Sequence, residues 1–330
     1  MVGYAIRRFF YMIILMVVIS IVSFIIIQLP PSDYVDIKVA QLMAQGQIVD
    51  QDEIESLKRL YGLDQPPVRQ FLGWVWRMLQ GDLGRSFKFE QPVADLIMER
   101  LPLTLAINLL ATVLVYAIAV PIGIYSATHQ YSIGDYAFTV VGFMGIATPG
   151  FLLALALMLL LQNTLGFGAG GLFSPQYQLA EWSFAKVVDM MKHLVVAIVV
   201  EALAGTAGLI RVMRGCLLDE LSKPYVVTAR SKGLDEQKLL FKYPIRIAIN
   251  PIVSTIGWML PGIVSGGAIV EIVLSLPTIG PLILSALTSL DMYLAGSAVM
   301  VLAFLTIIGS FVSDILLVIV DPRIRYEKTN

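Results

Sequence analysis

The chain has 330 residues, of which 57% are hydrophobic and 14% are charged. Soluble domains carry about 25% charged residues, so this composition excludes an ordinary soluble protein and indicates a membrane protein. The formal net charge of −1 excludes the strongly basic character of many nucleic-acid-binding proteins. One cysteine cannot form an internal disulfide, and two histidines far apart in the sequence do not make the ligand cluster of a metal site.

Six apolar runs are each long enough to cross the hydrocarbon core of a bilayer. The first run follows Arg7 and Arg8 and corresponds to about 31 Å of helix. It is too long for a signal peptide and lacks a small-residue cleavage site, so we expect a retained transmembrane helix. The predicted spans are Phe9–Leu29, Leu103–Ala127, Tyr136–Leu161, Leu194–Ile210, Ile252–Leu274 and Leu294–Val320.

The polar residues between the first two spans show helix punctuation. Asp50 is placed to cap a helix that Gly62 would end, and Pro66-Pro67 would open a second helix from Val68 to Gln80. A third short helix is predicted from Pro92 to Arg100. Trp74 and Trp76 suit either a membrane–water boundary or the core of a small helical subdomain, and the sequence leaves both readings open.

These patterns predict an all-α integral membrane protein in three parts. Residues 1–30 form the first transmembrane helix, 31–100 a small extracytoplasmic helical insertion, and 101–330 a core of five transmembrane helices. Six spans place both termini on the same side of the membrane. We expect that side to be the cytoplasm, because the densest short cationic segment then also lies inside.

That cationic segment, residues 211–250, is here called the docking segment. It carries eight lysines and arginines against four carboxylates. Pro224 can sit in the first turn of a helix that Ser222 can cap, and Gly233 can end that helix with a positive φ angle. Asp235 can cap a second helix that Pro244 ends. From physical chemistry alone, such a segment could dock a cytosolic partner or could simply contact anionic lipid.

The order of residues inside this segment resembles a known motif. Tyr225-Val-Val-Thr-Ala-Arg-Ser-Lys-Gly-Leu234 is similar to the coupling-loop motif of ABC importer membrane subunits, in particular the B-type permease of the oligopeptide, dipeptide and nickel family. Further stretches along nearly the whole chain share the resemblance. They are Tyr61–Pro66, Leu79–Ser86, Pro92–Pro102, Gly267–Glu271, Leu276–Gly280 and Asp321–Tyr326. The general importer motif has Glu-Ala-Ala where this chain has Val227, Thr228 and Ala229, so no glutamate salt bridge to an ATPase is expected there.

The resemblance implies a type I ABC importer transmembrane domain in a prokaryotic inner membrane. The implied partners are a homologous second permease subunit, two cytoplasmic ATPase subunits and an extracytoplasmic substrate-binding protein. The chain has no phosphate-binding Gly-x-x-x-x-Gly-Lys-[Ser/Thr] motif, so it is not expected to be an enzyme or to bind a cofactor, and ATP and magnesium would bind to the ATPase partners. The predicted ATPase-coupling residues are Tyr225, Thr228, Ala229, Arg230, Lys232, Gly233 and Leu234.

Polar and small residues within the later spans are candidates for the translocation path or for a subunit interface. Carboxylates in the hydrocarbon region are costly and must face protein or water, and glycines permit close approach of helices. The candidates are Pro261, Gly262, Gly266, Gly267, Glu271 and Asp314. Another possibility is an ion- or proton-coupled secondary transporter or channel that uses Glu201, Glu271 and Asp314. The cargo implied by the resemblance is a dipeptide or oligopeptide, with an oligosaccharide or nickel as alternatives.

Overall fold

The computed structural model describes residues 2–30, 32–46, 50–60, 63–166, 168, 170–265 and 267–320. Over these residues the chain is helical, with one isolated antiparallel bridge between Arg85 and Pro92. A short 3₁₀ helix covers Pro175–Tyr177. The α-helices are α1 Val2–Gln28, α2 Tyr34–Ala44, α3 Gln51–Leu60, α4 Pro67–Leu79, α5 Val93–Thr128, α6 Ile133–Ala147, α7 Gly150–Leu165, α8 Phe184–Leu221, α9 Pro224–Ser231, α10 Glu236–Lys242, α11 Pro244–Ser265, α12 Ala268–Val273, α13 Ile279–Thr288 and α14 Met292–Val320.

Four helices in the described part of the chain are long and apolar enough to cross a membrane. These candidate spans are Ile6–Gln28, Val93–Thr128, Phe184–Leu221 and Met292–Ile315. They coincide with four of the six predicted spans. Helices α6 and α7 together could supply one more span. Helix α11 covers much of the predicted span Ile252–Leu274, but Gly266 and several α11 side chains lie outside the described part, so the count of six remains a prediction.

The predicted third span, Tyr136–Leu161, does not form a single straight helix. Helices α6 and α7 meet at an angle of 110°. The break falls at Thr148, whose backbone is extended, directly before Pro149. Proline lacks the N–H that would continue the helix and disfavours helical geometry in the residue before it, which explains the bend.

The predicted short helix from Pro92 to Arg100 is not a separate element. It is the beginning of α5, which continues through Pro102 into the second span. A proline inside a membrane helix is tolerated where the surrounding protein accommodates the lost hydrogen bond. The fourth predicted span is likewise only the apolar middle of α8, which extends well beyond Leu194–Ile210 at both ends.

Two compact units divide the chain. The first comprises residues 1–103 and 277–307, and the second comprises 104–276 and 308–330. In the first unit, Phe24 of α1 packs against Phe71 and Trp74 of α4, with ring centroids 5.2 and 6.3 Å apart. Trp74 also packs against Gly296 of α14. Aromatic packing therefore joins the insertion to the first and last candidate spans. Of the two interpretations that the sequence left open for Trp74, this agrees with a packing role in a small helical subdomain.

Asp291 connects the insertion to the start of α14. Its carboxylate is buried and accepts hydrogen bonds from the Ser86 hydroxyl at 2.5 Å and the Lys88 backbone N–H at 3.0 Å. The Leu294 N–H donates to the same carboxylate at 3.1 Å, in the first turn of α14. A carboxylate at this position satisfies free donors of the helix and interacts favourably with the helix dipole.

In the second unit, α8 is the central helix. Leu209, Met213 and Leu217 of α8 are buried against residues of α5 and α11, including Ala119 and Ala248. Helices α6 and α7 pack on α8 as well. The end of α8 that enters the docking segment is therefore supported by packing on several neighbouring helices.

Replacing Asp291 by alanine is expected to lower the free energy of unfolding by about 2–4 kcal/mol, because a helix cap is lost and buried donors lose their acceptor. Asp291→Asn retains one carbonyl oxygen and should lose less. Thermal unfolding of the purified chain measures the difference. Asp64 is exposed in the same unit, and Asp64→Ala should change stability by less than about 0.5 kcal/mol. An Asp291→Ala chain that unfolds at the wild-type temperature would contradict this account.

Candidate docking surface and membrane carboxylates

The docking segment is helical at both ends. Its first part continues α8 as far as Leu221, and its last part belongs to α11, which begins at Pro244. Between them lie α9 and α10, so the predicted helix, glycine turn and second helix are confirmed. Ser222 does not cap α9, because its hydroxyl donates to the carbonyl oxygen of Asp219 at 2.9 Å and so belongs to the end of α8.

The turn between α9 and α10 depends on Gly233, whose φ angle is +77°. Only glycine adopts this conformation without steric cost. Asp235 then caps α10 by accepting from the Lys238 N–H at 3.2 Å. Arg230 and Glu236 make a two-point ion pair across the turn, with N–O distances of 3.1 and 2.5 Å. The hydrogen bond from Arg230 lowers the pKa of Glu236, but both side chains are about half exposed, so the pair contributes little stability.

One side of α9 is anchored to the protein. Val226 and, in α10, Leu239 are fully buried. The Tyr225 hydroxyl donates to a carboxylate oxygen of Glu220 near the end of α8 at 2.5 Å. Burial and then this carboxylate raise the pKa of Tyr225 to about 12, so the phenol stays protonated and remains a donor at neutral pH. These contacts fix α9 relative to α8.

The other side of α9 and its turn faces outward. Thr228, Arg230, Lys232 and Gly233 are exposed, whereas Tyr225, Ala229 and Leu234 are half-buried. The outward surface also has two large apolar side chains, Val227 and Phe241. Cations beside exposed apolar groups suit a protein partner, since interfaces combine apolar anchors with polar contacts. The predicted coupling residues thus form one local surface. Part of this surface is packed against the rest of the chain, and the other part is exposed to a partner.

Sequence reasoning missed a charge pair next to this surface. Asp135, in the first turn of α6, is buried and lies 3.0 Å from a guanidinium nitrogen of Arg214 in α8. The Tyr131 N–H donates to the same carboxylate at 3.1 Å. The connection between α5 and α6 is therefore tied to α8 at the docking segment. Ser132, which caps α6 three residues before Asp135, marks the helix start in the sequence, but nothing local indicates Arg214 as the partner.

The structure brings together two of the membrane carboxylates. Glu271 in α12 is buried, and its N–H donates to the carbonyl oxygen of Gly267, which lies against Glu201 of α8. Gly267, just before α12, packs against Glu201 so closely that a Cβ atom there would lie 2.5 Å from Oε1. Gly267 therefore has a specific packing role, which the sequence suggested only as a general tolerance for close approach.

The other path candidates belong to α11, the residue that follows it, and α14. Gly262 is exposed within α11, and Asp314 is half-buried on α14. Pro261 lies in α11, although its side chain is not among those described, and Gly266 lies outside the described residues. The motif residues Tyr61, Gly62 and Asp321–Tyr326 also lie outside the described part of the chain. No group of three or more histidine, cysteine or carboxylate side chains suited to a metal ion occurs within the described residues.

Comparison with known proteins places these features in context. The model of the family described as binding-protein-dependent transport system inner membrane component matches residues 119–326, and a model of the N-terminal part of such membrane components matches residues 1–108. The oligopeptide transport system permease protein AppB of Bacillus subtilis is 35% identical over 99% of this chain and 100% of its own length. A Brucella ovis protein named as a peptide permease is 31% identical over 98% of this chain and 99% of its own. The peptidoglycan transport system permease protein YejB of Agrobacterium fabrum is 27% identical over 99% of both chains.

Introducing a methyl group at Gly267 is expected to displace the Glu201 carboxylate. Gly267→Ala should therefore lower the unfolding temperature, by an amount corresponding to about 1–3 kcal/mol of overpacking. Gly262→Ala is the matched control, since a Cβ at Gly262 would have nothing within 4 Å. Adding Glu201→Ala to Gly267→Ala should recover part of the loss. Equal unfolding temperatures for the two glycine variants would rule out a close Gly267–Glu201 contact.

Removing the Tyr225 hydroxyl tests the anchoring of α9. Tyr225→Phe keeps the ring but loses the hydrogen bond to Glu220, a contact worth about 1–2 kcal/mol. Amide hydrogen exchange in α9 should become about 5–30-fold faster at neutral pH, the factor that corresponds to that energy. Tyr243→Phe, which changes another half-buried tyrosine of the same segment, should leave exchange in α9 unchanged. Unaltered exchange in Tyr225→Phe would show that the hydroxyl does not hold the helix.

Proposed function

We propose a working mechanism for this chain from one premise, which is that it belongs to the family of binding-protein-dependent transport system inner membrane components. It is a multi-pass inner-membrane protein and a permease subunit of an ABC importer. Its cargo is a peptide or a peptide-containing molecule. The names of its relatives, which refer to oligopeptide, peptide and peptidoglycan transport, support this cargo over an oligosaccharide or nickel.

Both termini and the docking segment face the cytoplasm in this proposal. The support is electrostatic: the docking segment carries eight lysines and arginines within 40 residues, and such segments remain on the inner side during insertion. Placing the insertion outside then makes it available to an extracytoplasmic binding protein. A homologous second permease subunit and two cytoplasmic ATPase subunits complete the assembly, and ATP and magnesium bind to the ATPases.

Coupling is assigned to α9. The observation that carries this assignment is that α9 is bonded to α8 through Tyr225 and buries Val226, while Thr228, Arg230 and Lys232 are exposed. An ATPase that contacts the outward side differently in its open and closed states would bias the permease between two states by that difference in contact energy. Because α9 is fixed to α8, its displacement would be passed to α8 and, through Asp135–Arg214, to the α5–α6 connection.

The translocation path is proposed to pass near Glu201, Gly267 and Glu271, where polar side chains approach one another within a candidate span and the helix that follows Gly267. An ion-coupled secondary transporter based on Glu201, Glu271 and Asp314 is not favoured. Membership of the importer family supports ATP-driven import instead.

Gly233→Val tests the coupling assignment. A β-branched residue at a φ of +77° is strained by about 1–3 kcal/mol, so the turn should shift and reposition α9. We expect weaker co-purification of the ATPase subunits and slower peptide uptake into proteoliposomes. Gly215→Val is the matched control, because Gly215 is exposed in the helical part of the same segment and a Cβ there meets nothing within 4 Å. Full capture and uptake in Gly233→Val would refute a coupling role for the turn.

A further inference from the structure

The first unit contains an apolar crevice between α1 and α14, adjacent to α4. Its volume is about 530 Å³, within the range of about 300–1,000 Å³ that small-molecule sites occupy. Phe9, Ile13 and Val17 of α1 form one wall, and Val301 and Phe304 of α14 form the other. Helix α4 and the turn after it also line the crevice, through Val75, Met78, Leu79 and Leu83. The α1 and α14 wall residues belong to candidate membrane spans, so we expect this side of the crevice to open toward lipid.

The chemistry of the lining points to a hydrocarbon occupant. Among the described residues that line the crevice, Ser20 is the one with a polar side chain. Its hydroxyl donates to the Val17 carbonyl oxygen within α1 at 2.8 Å, so it does not require a polar ligand. An empty apolar space in contact with lipid chains loses dispersion contacts along its walls, and a lipid chain that enters the space restores them.

The shape of the crevice follows from how α1 packs. Near its C-terminal end, α1 is held by aromatic packing of Phe24 on Phe71 and Trp74, and by a hydrogen bond between Gln28 and Gln70 at 2.9 Å. The N-terminal half of α1 has no such aromatic contact with α4 in the described residues, and Phe9 and Val17 are about half exposed. Helix α1 is thus fixed near its C-terminal end, and the crevice lies along the part of the helix from Phe9 to Ser20.

Charge identifies the lipid. Arg7 and Arg8 directly precede the first wall residue, Phe9, and Arg8 lies four residues before Met12, which also lines the crevice. Residues four apart share a helix face, so Arg8 lies on the side of α1 that lines the crevice, one residue before the first wall residue. Basic groups beside a gap between membrane helices are suited to anionic headgroups. We propose that this crevice binds one acyl chain of an anionic phospholipid of the inner leaflet, with its phosphate at Arg7 and Arg8.

The assignment to the inner leaflet rests on the orientation proposed above, whereas the acyl-chain site itself does not. The occupant could instead be a helix of the second permease subunit, which would fill the same apolar walls but would not require an anionic headgroup. Retention of a specific phospholipid by the purified chain distinguishes the two.

Native mass spectrometry of the full chain tests the proposal. The chain is reconstituted in nanodiscs containing equal amounts of phosphatidylglycerol and phosphatidylcholine and is then released into detergent. We expect the wild type to retain one phosphatidylglycerol molecule in preference to phosphatidylcholine. Val17→Trp fills the crevice from α1, and Val301→Trp fills it from α14. Each should reduce the retained phosphatidylglycerol at least about tenfold, which corresponds to about 1.4 kcal/mol of binding energy.

The matched control is Val18→Trp, which places the same side chain at the next, lipid-exposed position of α1 and should retain phospholipid like the wild type. Arg7→Gln with Arg8→Gln should abolish the preference for phosphatidylglycerol, whereas Arg69→Gln, at an exposed site on α4, should preserve it. Equal retention in Val17→Trp, Val301→Trp and Val18→Trp, or no lipid preference in the wild type, would overturn the proposal. Since the assay reads bound lipid and not uptake, failure of the transport mechanism would leave its result unchanged.

Discussion

The continuity of α8 is the constraint on which the rest of the second unit depends. This helix runs without a proline from Phe184 to Leu221, which at 1.5 Å per residue is about 57 Å, well beyond the roughly 30 Å of hydrocarbon that a bilayer presents. Its backbone hydrogen bonds are made within the helix itself, the arrangement that a membrane span requires. One rigid element therefore connects Glu201, within the span, to Glu220, where α9 is attached.

The charged groups around α8 fall into two kinds with different physical roles. Asp135 is buried and bonded to Arg214, so removal of either partner would leave a charge with poor solvation, and the pair fixes α6 to α8. Arg230 and Glu236 are about half exposed, and their attraction is weakened by water and salt. The first pair thus specifies the packing of helices, whereas the second adjusts a surface turn that can rearrange at little cost.

Much of the helical framework could be predicted from the sequence because its signals are local. The apolar runs that became α1, α5, α8 and α14 exceed the length needed to span a bilayer, and Pro224, Gly233 and Asp235 each act within a few residues of their own position. Pro149 is also a local signal for the bend. The apolar run continues across it, however, so the pattern predicted one span and not two bent helices. Hydrophobicity does not distinguish one straight helix from two bent ones.

The contacts that position functional side chains could not be predicted in this way. Asp135 and Arg214 are 79 residues apart, and Ser86 and Asp291 are 205 residues apart. A single sequence carries no record of such pairings. Each of these residues can also be explained by a local role, such as a capping residue or a cation near the membrane surface. The proximity of Glu201 and Gly267 depends on how α8 and the α11–α12 break pack, which periodicity does not determine.

Anchoring and exposure together decide how a force on α9 would be transmitted. A helix that was attached only by a flexible turn would absorb a displacement in that turn. In this chain, Val226 is fully buried and Tyr225 is bonded to Glu220 of α8, so pulling α9 away from the protein would expose apolar surface at about 25 cal/mol per Å² and also break a charge-assisted hydrogen bond to α8. Moving α8 with α9 keeps these contacts intact. In the proposed mechanism, α9 and α8 would therefore move together, and the contacts that would exchange are those α8 makes with α5, α6, α7 and α11.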